Sequence, residues 1–168
     1  MATNIEIKAR IQDLEHLKGL VERLSDGPGL NIPQEDTFFH VPRGRLKLRC
    51  LSPEQGQLIY YEREDASGPR PSNYLVYVTR DPESLKVALS AALGVRGVVR
   101  KQRWLYHVGQ TRVHLDEVAG LGWFLELEVV LSPGQSQAEG VAIAHKLMAQ
   151  LGIEEADLVE RAYIDLLL

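Results

Sequence analysis

The sequence predicts an α+β protein: eight antiparallel strands in one sheet, strongly curled or closed into a β-barrel, with helices packed outside. Two observations carry this. Eight segments alternate apolar and polar residues with a period of two. Several of them are joined by connections too short for a parallel crossover, so sequential strands pair antiparallel.

The first strand covers 3–11, where Ile5, Ile7 and Ala9 alternate with Asn4, Glu6, Lys8 and Arg10. A helix over 13–25 follows, with Leu14, Leu17, Leu20, Val21 and Leu24 at helical spacing. Strands at 35–41 and 44–51 flank Pro42-Arg43-Gly44, which reads as a tight connection, and further strands cover 57–64 and 73–79. Asp81-Pro82 is an N-cap followed by proline at the first helical position, and Gly94 ends the helix over 82–93. Gly109-Gln110 joins strands at 97–107 and 111–118 as a hairpin, and the eighth strand covers 123–131. Val141, Ala144, Leu147, Met148 and Leu151 mark a helix over 136–151 that stops at Gly152. The amphipathic run DLVERAYIDLLL predicts a last helix over 156–167.

No linker, repeat or low-complexity tract divides the chain, so its 168 residues are expected to form one domain, 1–168. A net charge of −4 argues against a nucleic-acid partner, for which a basic domain is expected. No apolar run approaches the roughly 20 residues that span a bilayer, so no membrane association is expected. Cys50 is the single cysteine, and no transit or secretory segment precedes Ile5, which makes the cytoplasm the expected location.

The charged strand faces decide the functional reading. Arg45, Lys47 and Arg49 alternate with Leu46, Leu48 and Cys50; Lys101 and Arg103 share a face; Arg112, His114 and Asp116 share another; Glu126 and Glu128 lie together in FLELEVV. A solvated face of a half-buried strand explains any one of these. Their segregation argues otherwise, because bases gather on some strands and a nearly pure acidic pair on another. If the faces line an interior, Lys8, Arg10, Arg45, Lys47, Arg49, Lys101, Arg103 and Arg112 converge. Two like charges about 6 Å apart repel by roughly 3 kcal/mol at an effective dielectric near 20, so such an interior needs a polyanion. Phosphate oxygens supply one, with arginine able to grip them bidentately. Glu6, Glu126 and Glu128 would repel that polyanion unless a hard cation lay between, and Mg²⁺ or Mn²⁺ meets the need.

Glu6-Ile7-Lys8, Gly44-Arg45-Leu46-Lys47-Leu48-Arg49 and Phe124-Leu125-Glu126-Leu127-Glu128 together resemble the CYTH domain, also called the triphosphate tunnel metalloenzymes. The resemblance covers almost the whole chain and keeps the motif order. It implies a closed eight-stranded antiparallel tunnel, a triphosphate-bearing small-molecule substrate and Mg²⁺ or Mn²⁺. By position it implies metal carboxylates at Glu6, Glu126 and Glu128, with Asp116 as a further acid near the metal or near an arginine. It implies phosphate contacts at Lys8, Arg10, Arg45, Lys47, Arg49, Arg63, Lys101, Arg103 and Arg112. Catalysis would fall to Glu6, Lys8, Glu126 and Glu128, and a homodimer is compatible with the family. The opening strand departs from the family's E-x-E-x-K, because Asn4 stands at the first glutamate and brings a carbonyl ligand without charge.

The activity expected is a metal-dependent triphosphatase. Class IV adenylyl cyclase, with a ribose 3′-hydroxyl in place of water, and a non-catalytic polyphosphate or nucleotide-binding module are the alternatives. The H-F-x-G stretch common in bacterial cyclases is not found ahead of Asn4, which counts against the first alternative. His114 reads either as a substrate contact or as a hydrogen-bonded bystander. Asp36 reads either as an inner-face acid or as a structural acid near a turn. Arg70 is assigned to a loop that reaches a tunnel mouth or only solvent. Core packing is the expectation for Tyr60, Tyr61, Tyr74 and Trp104, while Arg161 and Tyr163 are candidates for closing one end.

Overall fold

The computed structural model describes residues 1–168. Its eight strands are β1 (Ala2–Arg10), β2 (Leu30–Phe39), β3 (Arg45–Ser52), β4 (Gln55–Arg63), β5 (Arg70–Thr79), β6 (Val95–Val108), β7 (Thr111–Val118) and β8 (Gly122–Val130). They close into an antiparallel barrel in the order β1-β5-β4-β3-β2-β6-β7-β8, with β8 pairing back to β1. Helices α1 (Leu14–Leu24), α2 (Pro82–Leu93) and α3 (Gln137–Leu151) lie outside, and the short α4 (Tyr163–Leu167) ends the chain.

The barrel is polar within and apolar without. Ile7, Ala9, Val113, Leu115, Leu125 and Leu127 point outward from β1, β7 and β8 and form one core with Leu17 and Val21 of α1 and Leu147, Met148 and Leu151 of α3. The helices begin where the sequence places caps: Asp13, Asp81 and Ser136 each accept a hydrogen bond from a backbone N–H of the first turn. Gly140 lets α3 settle on the barrel, since a Cβ there would come 2.6 Å from the side chains of Ile5 and Leu131. No helix is long and apolar enough to cross a membrane.

Two expectations require correction. Strand β2 starts at Leu30 rather than 35, running through Pro33 where β6 is its only neighbour, a stretch that tolerates a missing N–H. The predicted helix over 156–167 is not continuous. It is a 3-10 turn at Glu155–Asp157, an extended stretch bridged to β1 (Ala9 with Leu158, Val159 N–H to the Lys8 carbonyl) and then α4. Contacts with the barrel end outweigh the local helical periodicity.

Candidate functional site

Inward-facing side chains surround a cavity of about 290 Å³. Because side chains alternate along each strand, the parity that puts Ile5 and Ile7 under the helices puts Asn4, Glu6 and Lys8 inside. The same rule brings in Lys47 and Arg49 from β3, Arg63 from β4, Lys101 and Arg103 from β6, Arg112 and His114 from β7, and Glu126 and Glu128 from β8. Seven cations thus share the cavity with four carboxylates, the fourth being Asp36 of β2. In the ring of strands β8 lies opposite β3, so Glu126 and Glu128 face Lys47 and Arg49 across the lumen.

The charges are arranged in layers. Asp36 is 1% exposed and neutralises a cluster on the β2–β3–β6 side. Arg49 donates to both of its oxygens at 2.9 Å, Lys101 to Oδ2 at 3.1 Å, and Lys47 Nζ lies 3.4 Å away. Burial alone would raise the Asp36 pKa, but Arg49, Lys101 and Lys47 hold it well below the usual carboxylate range. Lys47 is brought down to about 7, by burial and then by neighbouring Arg49, with Asp36 opposing.

Carboxylates dominate the opposite wall. Glu6 and Glu128 are direct cross-strand neighbours, as are Lys8 and Glu126. Burial and the adjacent Glu128 push Glu6 up to about 7, while Arg63 at 3.5 Å opposes them. Arg112 grips Glu128 at 2.9 Å, and Arg103 lies 3.7 Å from Glu126. Lys8 donates to the Arg161 carbonyl at 3.0 Å and sits 4.1 Å from the centre of the Tyr163 ring. Burial brings its pKa down to about 7.

His114, Glu126 and Glu128 place one potential ligand atom each within 4.8 Å of one another. His114 Nδ1 is buried with no hydrogen-bond partner. Burial and then Arg103 lower this imidazole to about 4, so it is neutral and offers a lone pair at physiological pH. An unpartnered nitrogen beside two carboxylates fits a divalent cation. His114 is thus a potential metal ligand together with Glu126 and Glu128, a place the sequence left undecided.

The tunnel is open at one end and stopped at the other. Ala162 and Tyr163 line the closed end together with Phe38 and Val99, all nearly inaccessible to solvent. At the open end the lining becomes apolar, with Ile32, Leu51, Val76 and Leu105.

Three expected site residues lie outside the cavity lining. Arg10, at the exposed end of β1, stacks on Phe124 past the closed end. Arg45 is tied to Asp165 at 2.8 Å and to Asp65 at 3.1 Å. Asp116 is wholly buried and held by Arg103 and by the Tyr163 hydroxyl, not grouped with Glu126 and Glu128. Each has inward parity but sits at the plugged end, a depth that alternation does not encode. Arg70, expected in a loop, starts β5 and donates to the Ala66 carbonyl. Tyr61 and Tyr74 line the cavity rather than only the core, whereas Trp104 packs on Trp123 outside it.

The CYTH domain model matches residues 2–163. A protein of Pyrococcus horikoshii OT3 has a similar structure, with a TM-score of 0.84 and 28% identity over 97% of this chain and 98% of that one. A Vibrio parahaemolyticus protein described as a candidate adenylate cyclase superposes with a TM-score of 0.82 at 19% identity, covering 99% and 98% of the two chains. A Hippeastrum protein described as having a dominant triphosphatase activity gives 0.61 at 18% identity, covering 95% and 91%. No curated protein matches the sequence.

Proposed function

Since the chain belongs to the CYTH family, we propose that it is a divalent-metal-dependent phosphohydrolase acting on a triphosphate-bearing small molecule. One observation carries this reading: a carboxylate and imidazole wall faces a cationic wall across a single closed-ended cavity. A triphosphate satisfies both walls at once, its oxygens against the cations and its metal against the acids.

Lys47, Arg49, Lys101 and Arg103 hold the phosphate chain from one side, and Lys8, Arg63 and Arg112 hold it from the acidic side. His114, Glu126 and Glu128 would hold Mg²⁺ or Mn²⁺, with Glu6 beside them. Once bound, such an ion polarises a phosphoryl oxygen and offsets the charge between phosphate and carboxylate. Water attacks the phosphorus, the bridging P–O bond breaks toward the remaining phosphates, and Glu6 is placed to take the proton released. Anion-binding side chains fixed by Asp36 and Asp116 need little rearrangement as charge shifts to the leaving oxygen.

A panel of inorganic triphosphate, nucleoside triphosphates and thiamine triphosphate, assayed with and without Mg²⁺ or Mn²⁺, tests the proposal. Metal-dependent release of phosphate is the expected result. Pyrophosphate with a cyclic nucleotide would instead identify a cyclase. Tight triphosphate binding with no turnover would identify a binding module, the reading that the uncharged Asn4 favours.

A further inference from the structure

The interior arginines are of two kinds. Arg49, Arg103 and Arg112 each pair with a carboxylate at 2.9 Å or closer, as does Arg45 near the plugged end. Arg63 and Arg70 do not. The nearest carboxylate to Arg63 is Glu6 at 3.5 Å, and the hydrogen bonds of Arg70 go only to the backbone carbonyls of Ala66 and Val159. Arg70 is 4% exposed and the Arg63 side chain 5%. Nε and Nη2 of both are buried without a hydrogen-bond partner, and no other lysine or arginine nitrogen in the chain is.

The two guanidinium groups are neighbours. Arg63 stands opposite Ser72 across β4 and β5, and Arg70 lies two residues from Ser72 on the same inward face, opposite Glu6 of β1. Arg63 lines the cavity, and Arg70 is one step nearer the plugged end. Burial and then Arg63 lower Arg70 only to about 10, so it is cationic at neutral pH. Buried charged donors without acceptors are costly, and these four point to an acceptor that brings negative charge. Glu6 alone does not meet that need, because the cation held by Glu126 and Glu128 would compete for it.

We propose that Arg63 and Arg70 form an oxyanion site for the free terminal phosphoryl group of the substrate, with Glu6 leaving Arg63 for the metal as that group arrives. The inference rests on the triphosphatase reading and adds a condition to it: the phosphate chain must end in an unsubstituted phosphoryl group. Three terminal oxygens can accept from two guanidinium forks together. A phosphodiester offers only two, and its substituent would meet the stopper of Ala162 and Tyr163.

Orthophosphate is the first probe, because its binding needs neither metal nor turnover. Calorimetry on the metal-free protein should detect it. Arg70→Gln should weaken it by about tenfold, the loss expected of a charged hydrogen-bonding partner, and Arg70→Lys should weaken it less. Mn²⁺ affinity measured without phosphate should be the same in all three proteins, which separates loss of the site from general damage. The second probe needs no variant. With Mn²⁺, native protein should bind the non-hydrolysable β,γ-methylene analogue of adenosine triphosphate more tightly than diadenosine triphosphate, whose phosphates are blocked at both ends. Arg70→Gln should erase that margin. Orthophosphate affinity indifferent to Arg70→Gln overturns the proposal, as does equal binding of the two nucleotides by the native protein. Arg70-dependent orthophosphate binding in a protein that hydrolyses no triphosphate would remove the proposed activity and leave the oxyanion site standing.

Discussion

Arg103 and Asp116 form a two-pronged pair deep in the barrel, Nε to Oδ1 and Nη2 to Oδ2 both at 2.8 Å, with the Tyr163 hydroxyl donating to Oδ2 at 3.0 Å. Arg103 is 5% exposed and Asp116 not at all. Asp116→Asn leaves a buried guanidinium without its counter-charge, and such a break costs about 3–5 kcal/mol. The variant should melt in less denaturant and bind triphosphate more weakly, because Arg103 loses the partner that aims it. Arg103→Met/Asp116→Leu should regain much of the stability and none of the binding. Unaltered denaturant midpoints for Asp116→Asn would show that the pair is not what fixes Arg103.

Asp36 makes stability depend on acid. Its pKa is held well below the ordinary carboxylate value of about 3.9 by the three cations around it. A group depressed in the folded state contributes fully above its unfolded pKa, and the contribution fades as pH falls through the folded one. Unfolding free energy should therefore decline from about pH 5 downward. In Asp36→Asn the decline should be shallower, from a lower starting point at pH 7. Equal slopes in the two proteins would remove Asp36 from the account.

The potential metal ligands of the acidic wall, His114, Glu126 and Glu128, mix one nitrogen with carboxylate oxygens. Mg²⁺ prefers oxygen alone, whereas Mn²⁺ accepts imidazole more readily. Calorimetric titration should show tighter Mn²⁺ than Mg²⁺ binding, and His114→Gln should narrow that preference. Glu126→Gln and Glu128→Gln should weaken both ions. Lys47→Ala should leave metal binding intact and weaken triphosphate binding. Metal affinities indifferent to all three wall substitutions would place the ion elsewhere.

Asn4 is 3% exposed, lines the cavity, and keeps an Oδ1 with no hydrogen-bond partner. Asn4→Glu should add a carboxylate to the wall that bears Glu6. A tenfold tighter metal dissociation constant, about 1.4 kcal/mol, is the expected scale. The metal-free variant should be less stable than the native protein, since the new charge meets Glu6 with no ion between them. Weaker or unchanged metal binding would show that the position does not reach the ion.

Much of this arrangement was legible because a strand's period of two separates inside from outside without ambiguity. The helix over 82–93 and the strand over 111–118 match end to end, each bounded by a strong local signal: Asp81-Pro82 and Gly94 in one case, Gly109-Gln110 in the other. Parity placed Glu6, Lys8, Lys47, Arg49, Lys101, Arg103, Arg112, Glu126 and Glu128 on inward faces, the family resemblance added Arg63, and all ten line the cavity. It could not report depth, so Arg10, Arg45 and Asp116 share the inward parity but lie beyond the cavity lining. Nor could it find the role of Asp36, which depends on three cations from two other strands. The C-terminal run was misread because its periodicity is local, whereas its conformation is fixed by contact with β1.

The stopper formed by Ala162 and Tyr163 has a kinetic consequence. A corridor with one door admits and discharges by the same route, so whatever travels furthest in is the last to leave. A linear phosphate chain entering end-on brings only its terminus to the innermost cations, Lys8 among them. Processing of long chains would then shorten them from the tip, and the fragment beside Lys8 would wait until the outer one had cleared the threshold.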